Sequence, residues 1–118
     1  MLPEYLLFPY KKVEQLIEHG ICCPFEENWN GVWIGLDGEL NFPYGNGIYC
    51  YKNLPEKFNK EMYFVIVVAL LAGVDCKRMD EIEASIFAFN CLPCDSLLLS
   101  NDIWVLRSAS QLLPLFTF

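Results

Sequence analysis

The run from Met62 to Val74 constrains this chain most: about 13 residues, dominated by Val, Ile, Ala and Leu, with no charge before Asp75. A helix needs roughly 20 such residues to cross a bilayer, so the run is too short to span one. Its β-branched content is that of a strand covered on both faces. A buried strand over Met62–Ala72 requires flanking strands and a two-sided core. At 118 residues, 54% of them hydrophobic and 15% aromatic, the chain has material for one such core. A single compact domain over residues 1–118 is expected.

Fifteen acidic against eight basic side chains give a formal charge of -7. Such a surface repels phosphate backbones, and the basic residues cluster only in pairs such as Lys11-Lys12 and Lys77-Arg78. Nucleic acid is therefore not an expected partner, and no membrane association is expected. The start, Met1 to Tyr5, lacks the basic and apolar regions of a secretory signal, which points to the cytoplasm. Cys91-Leu92-Pro93-Cys94 has the spacing of half a zinc site. The other cysteines (Cys22, Cys23, Cys50, Cys76) and the single histidine, His19, are irregularly spaced. The six thiols read as reduced and mostly buried, with no metal.

Along the chain, Glu4 to Pro9 reads as a first strand closed by proline. From Lys11 to Glu18, Val13, Leu16 and Ile17 mark one face of a two-turn helix, with Gly20 as its cap. A turn-rich stretch, Cys23 to Asn46, is interrupted by the β-prone Val32-Trp33-Ile34. Ile48 to Tyr51 reads as a short strand and Leu54 to Lys60 as a helical turn or loop. Asp80 to Ala88 carries a loosely helical pattern with Ile82, Ile86 and Phe87 inward. Ile103 to Leu106 and Leu112 to Phe118 are β-favouring runs. The fold class is α+β, a sheet with one or two small flanking helices.

The densest feature is Tyr44-Gly45-Asn46-Gly47-Ile48-Tyr49. Two glycines permit close backbone approach to a ligand, and two tyrosines offer faces for stacking. The same residues also suit an Asn-Gly hairpin turn with tyrosines packed beside it.

Read in order, the helix Val13 to Gly20, the long loop, Tyr44 to Tyr49, the strand ending Leu71-Ala72-Gly73, Asp95-Ser96-Leu97, Ile103 to Leu106 and Gln111-Leu112-Leu113-Pro114-Leu115 resemble the catalytic core of the poly(ADP-ribose) polymerase class of ADP-ribosyltransferases, most closely its mono-ADP-ribosylating branch. The resemblance covers about residues 5 to 118. It implies an ADP-ribosyltransferase-like sheet core, NAD as substrate and a protein as the target of modification. It matches Tyr49 to the tyrosine that stacks on nicotinamide, Gly45 and Gly47 to the glycines before it, and Phe42 to an aromatic over the same site. Tyr44 belongs to the same wall, and Phe58 is the nearest further stacking candidate. Ile103 falls where polymerising members carry the catalytic glutamate, with Asp102 one position away.

The chain departs from the family at its first strand, where Leu6-Leu7-Phe8-Pro9-Tyr10 replaces the His-Gly pair that grips ribose and nicotinamide. His19 sits instead at the end of the helix, where it meets the helix dipole. ADP-ribosyl transfer passes through an oxocarbenium-like state, so the site must hold the leaving group flat and offer negative charge near the ribose. Asp102 is the carboxylate nearest to that role, and it also suits a plain strand-edge charge. Two readings of the resemblance stand: an NAD-dependent mono-ADP-ribosyltransferase, and a catalytically silent relative kept for protein binding. A third is an unrelated small α+β interaction domain. Hydrolase and nucleotidase classes find no nucleophile elbow or phosphate loop, and Glu81 and Glu83, two apart on a helical pattern, face different ways.

Overall fold

Alternation along short strands builds this fold, because each strand sends successive side chains to opposite faces of one sheet. The computed structural model describes residues 3–21, 36 and 41–117. Cys22, Cys23 and the run 32–34 lie outside the described residues. The strands are β1 (Glu4–Pro9), β2 (Ile48–Tyr51), β3 (Tyr63–Leu70), β4 (Cys76–Met79), β5 (Ser96–Leu99), β6 (Ile103–Leu106) and β7 (Leu112–Thr117). They form one seven-stranded sheet in the order β4-β5-β6-β2-β1-β3-β7. All pairings are antiparallel except β4 with β5. The chain is thus a small mixed α+β protein dominated by its sheet.

On one face, Leu6, Phe8, Ile48, Cys50, Ile66, Val68 and Leu106 make a core against which Leu16 packs. On the other, Tyr49, Leu97, Leu99, Ile103 and Val105 make a second core with Ala84, Phe89 and Cys94. The Met62–Ala72 run is a strand, as its composition predicts, and its middle is buried. It is not central: β3 is second from one edge, and β2 holds the centre. Met62 and Leu71, beyond the strand ends, are about half exposed or more. No helix among the described residues is long and apolar enough to cross a membrane.

Both helices expose apolar residues that the sequence pattern places inward. Helix α1 (Val13–His19) follows a 3-10 turn at Tyr10–Lys12 and ends at Gly20, whose N–H donates to the Leu16 carbonyl at 2.8 Å. Leu16 meets the core, while Ile17, on the edge of the same stripe, is 81% exposed. Helix α2 (Glu81–Ile86) is capped by Asp80, whose carboxylate accepts from the Glu83 N–H at 2.8 Å. It touches the core through Ala84, so Ile82 and Ile86, one turn apart on the opposite side, point outward with Phe87. Residues Leu54 to Lys60 form no regular helix.

The two sheet edges differ. Strand β4, which hydropathy does not announce, carries Lys77 and Arg78, charges that discourage edge pairing. Strand β7 exposes Leu113, Leu115 and Phe116, with Pro114 tolerated beside a register shift at Val67/Val68.

One buried carboxylate sits at the start of β1. Glu4 is 6% exposed, and its Oε2 and the Nε1 of Trp104 complete no hydrogen bond. Burial pushes its carboxyl up from 4.5 to about 6, against the opposing pull of Lys52. The folded state therefore holds this proton more tightly than the unfolded chain, so the contribution of Glu4 to stability is full below pH 4.5 and is lost as pH rises through about 6. A shift of this size corresponds to roughly 2 kcal/mol. Urea titrations between pH 4 and 7 should show that decline in the wild type and not in Glu4→Gln, which should be the more stable protein at pH 7.

Candidate functional site

The Tyr44 to Tyr49 segment enters β2 through a turn in which the Gly45 N–H donates to the Phe42 carbonyl at 3.2 Å. Alternation sends Ile48 and Cys50 to one core and Tyr49 to the other. The Tyr49 ring is 1% exposed. Its hydroxyl donates to the Gly45 carbonyl at 2.6 Å and accepts from the Tyr44 N–H at 2.9 Å. Tyr44 stacks beside it, with ring centroids 6.2 Å apart and planes at 19°, and Phe42 meets it edge-on at 5.8 Å. Burial pushes the Tyr49 phenol well above its ordinary value, partly opposed by the hydrogen bond from the Tyr44 backbone, so it stays a neutral hydroxyl.

The glycines are packed against the chain itself. At Gly45 (φ +101°) an added Cβ would lie 2.5 Å from the Phe89 nitrogen and 2.8 Å from the Asn90 side-chain oxygen. At Gly47 it would lie 2.8 Å from the Val105 side chain and 2.9 Å from the Leu106 carbonyl. The Phe89 N–H donates to the Tyr44 carbonyl at 2.7 Å, and the Asn46 N–H donates to Asn90 at 3.2 Å. Segment 88–92, which includes the 3-10 turn Phe89–Cys91, therefore closes over the glycine loop.

Arg107 holds that segment in place. Its guanidinium donates to the carbonyls of Cys94 at 2.7 Å, Phe89 at 3.2 Å and Leu92, and lies 4.6 Å from the Phe89 ring centroid. Gln111, noted in the sequence only as part of a terminal motif, accepts from the Arg107 and Ser108 N–H groups and donates to the Leu71 carbonyl at 3.0 Å. It ties the β6–β7 connection to the end of β3.

Of the residues expected at a ligand site, Phe42, Tyr44, Gly45, Gly47 and Tyr49 come together. Ile103 opens β6 and shares the Tyr49 core cluster. Asp102 stands in the β5–β6 turn with φ +63°, a conformation that aspartate tolerates. Its carboxylate lies 4.0 Å from Lys52 Nζ and 3.3 Å from Asn53 Nδ2, and it lines a cavity of about 410 Å³ with Lys52, Arg78 and Ser100. Phe58 is elsewhere: it lines a cavity of about 580 Å³ with Tyr10, Tyr63 and Phe64, residues the sequence reading did not single out as a group. The available signal was the aromatic density from Phe58 to Phe64, which strand assignment absorbed. His19 ends α1, 3.7 Å from Glu18. Cys91 is exposed and Cys94 buried, and no cluster of three potential metal ligands occurs among the described residues.

This geometry makes Tyr49 a structural hydroxyl with two partners. Tyr49→Phe keeps the ring and leaves the Tyr44 N–H and Gly45 carbonyl unpaired, so chemical denaturation should show a loss of about 2 kcal/mol. A tyrosine serving only as a stacking surface would lose almost nothing.

By sequence, neither a known protein-family model nor a characterised protein matches this chain.

Proposed function

We propose that the chain is a catalytically silent relative of the ADP-ribosyltransferases, with that family's sheet core retained for protein binding. One observation carries this reading. The groups that the resemblance assigns to nicotinamide are engaged within the protein: Tyr49 is buried with both hydroxyl partners satisfied, segment 88–90 occupies the close approach that Gly45 would offer a ligand, and Val105 and Leu106 occupy that at Gly47. The aliphatic Ile103, at the position matched to the catalytic carboxylate, agrees with it. The exposed apolar side chains of β7 supply surface for a partner.

A second reading, an NAD-dependent mono-ADP-ribosyltransferase, draws support from the cavity beside Asp102. There two cations, Lys52 and Arg78, and three carboxylates, Asp80, Glu83 and Asp102, line one cavity; the cations suit the phosphates of a dinucleotide and Asp102 an oxocarbenium-like ribose. Isothermal titration with NAD and with nicotinamide, together with transfer of labelled ADP-ribose to lysate proteins, separates the two. The silent reading expects neither heat nor transfer. Transfer that disappears in Asp102→Ala would establish the second. The binding half of the proposal expects pull-downs with wild type and with Phe116→Lys to recover different proteins, and identical recoveries would refute a role for β7.

A further inference from the structure

We propose that the cavity between the end of β1, the β2–β3 connection and the start of β3 binds a zwitterionic aromatic molecule of amino-acid size. The cavity is about 580 Å³, within the range of small-molecule sites, which are largely apolar with a few polar groups that fix orientation. Tyr10, Phe58, Tyr63 and Phe64 supply aromatic walls, and the Tyr10 and Phe64 rings lie 5.0 Å apart, tilted by 40°. Backbone fixes this arrangement: the Tyr10 N–H donates to the Met62 carbonyl at 2.9 Å, and Pro9 pairs with Tyr63 in the β1–β3 ladder. Rings in mutual contact form a continuous aromatic wall, against which a flat ring packs by offset or edge contact.

Charge selects among flat ligands. Glu56 and Lys60 both line the cavity, both are exposed, and no ion pair joins them. A purely cationic ligand meets Lys60, and a purely anionic one meets Glu56. A molecule with an ammonium and a carboxylate on one carbon can give each charge its counterpart while its ring lies against the aromatic wall. The site uses neither Tyr49 nor Asp102, so it is independent of whether the chain turns over NAD.

Isothermal titration with L-tryptophan, indole, tryptamine and indole-3-propionate tests the assignment. Tryptophan should bind about tenfold more tightly than tryptamine or indole-3-propionate, the size expected for one additional charge-assisted contact, and about a hundredfold more tightly than indole, which lacks both charges. Glu56→Gln should reduce tryptophan to the affinity of indole-3-propionate, and Lys60→Gln to that of tryptamine. Phe58→Ala, on a connection outside the sheet, should abolish binding with an unchanged thermal midpoint. The proposal is overturned if no probe gives heat, if a singly charged probe or indole matches tryptophan, or if tryptophan binds equally to wild type and all three variants. Should Phe58→Ala fail to fold, the two charge variants decide.

Discussion

Gly45→Ala is expected to destabilise the protein by about 4 kcal/mol, near the top of the range for single substitutions. Two effects combine. A positive φ costs an L-residue roughly 1–2 kcal/mol, and alanine at 45 would also drive its Cβ to 2.5 Å from the Phe89 backbone nitrogen. That nitrogen cannot swing aside as a side chain would, because its N–H is bonded to the Tyr44 carbonyl at 2.7 Å. Relief therefore requires segment 88–92 to retreat, which also strains the Asn46 to Asn90 contact. Gly20→Ala is the control: φ is +71°, yet nothing lies within 4 Å of the added Cβ. It should cost about 2 kcal/mol, the backbone share alone, because φ +71° with ψ -164° is a conformation kept essentially to glycine. Urea denaturation of both variants measures the difference. Equal losses would show that steric closure over Gly45 contributes nothing.

The sequence made the strands legible where hydropathy and turn chemistry agreed. Glu4–Pro9 and Ile48–Tyr51 coincide with the strands observed, because proline closes the first and paired aromatics mark the second. Helical periodicity located α2 but not its inward side. In a six-residue helix Ile82 and Ile86 define a stripe, yet the small Ala84 opposite allows the closest approach to the sheet, and the larger residues are left outside. Strand β4 was illegible because an edge strand built from Cys-Lys-Arg-Met is selected by its parallel partner β5, not by apolar content.

The glycine–tyrosine segment shows the same limit at the candidate site. Close backbone approach at Gly45 and Gly47 was readable, but what does the approaching was not. A bound ligand and a distant stretch of the same chain impose the same local demand, and here the partner for Asn46 is Asn90, 44 residues away. Phe58 illustrates the converse. It was paired with Tyr49 by order along the chain, whereas the sheet gives it Tyr10 and Phe64 as neighbours around another cavity.

Arg107→Met should cost about 3 kcal/mol, since the side-chain volume is retained while three carbonyls, of Cys94, Phe89 and Leu92, lose charged donors. Arg107→Lys should recover little of that loss, because a single ammonium cannot reproduce the planar fork that reaches all three. The more informative variant combines Arg107→Met with Gly45→Ala. Both act on segment 88–94, the first by releasing its carbonyls and the second by pushing against Phe89. Once the segment has been released, the Gly45 clash has less to displace. The double variant should therefore be more stable than the sum of the single losses implies, by at least about 1 kcal/mol, as expected for residues coupled through a shared element. Additive losses would mean that the Arg107 anchor and the glycine loop stabilise separate units. In that case the seal over Tyr49, and with it the structural argument for a silent site, would depend on Phe89 and Asn90 alone.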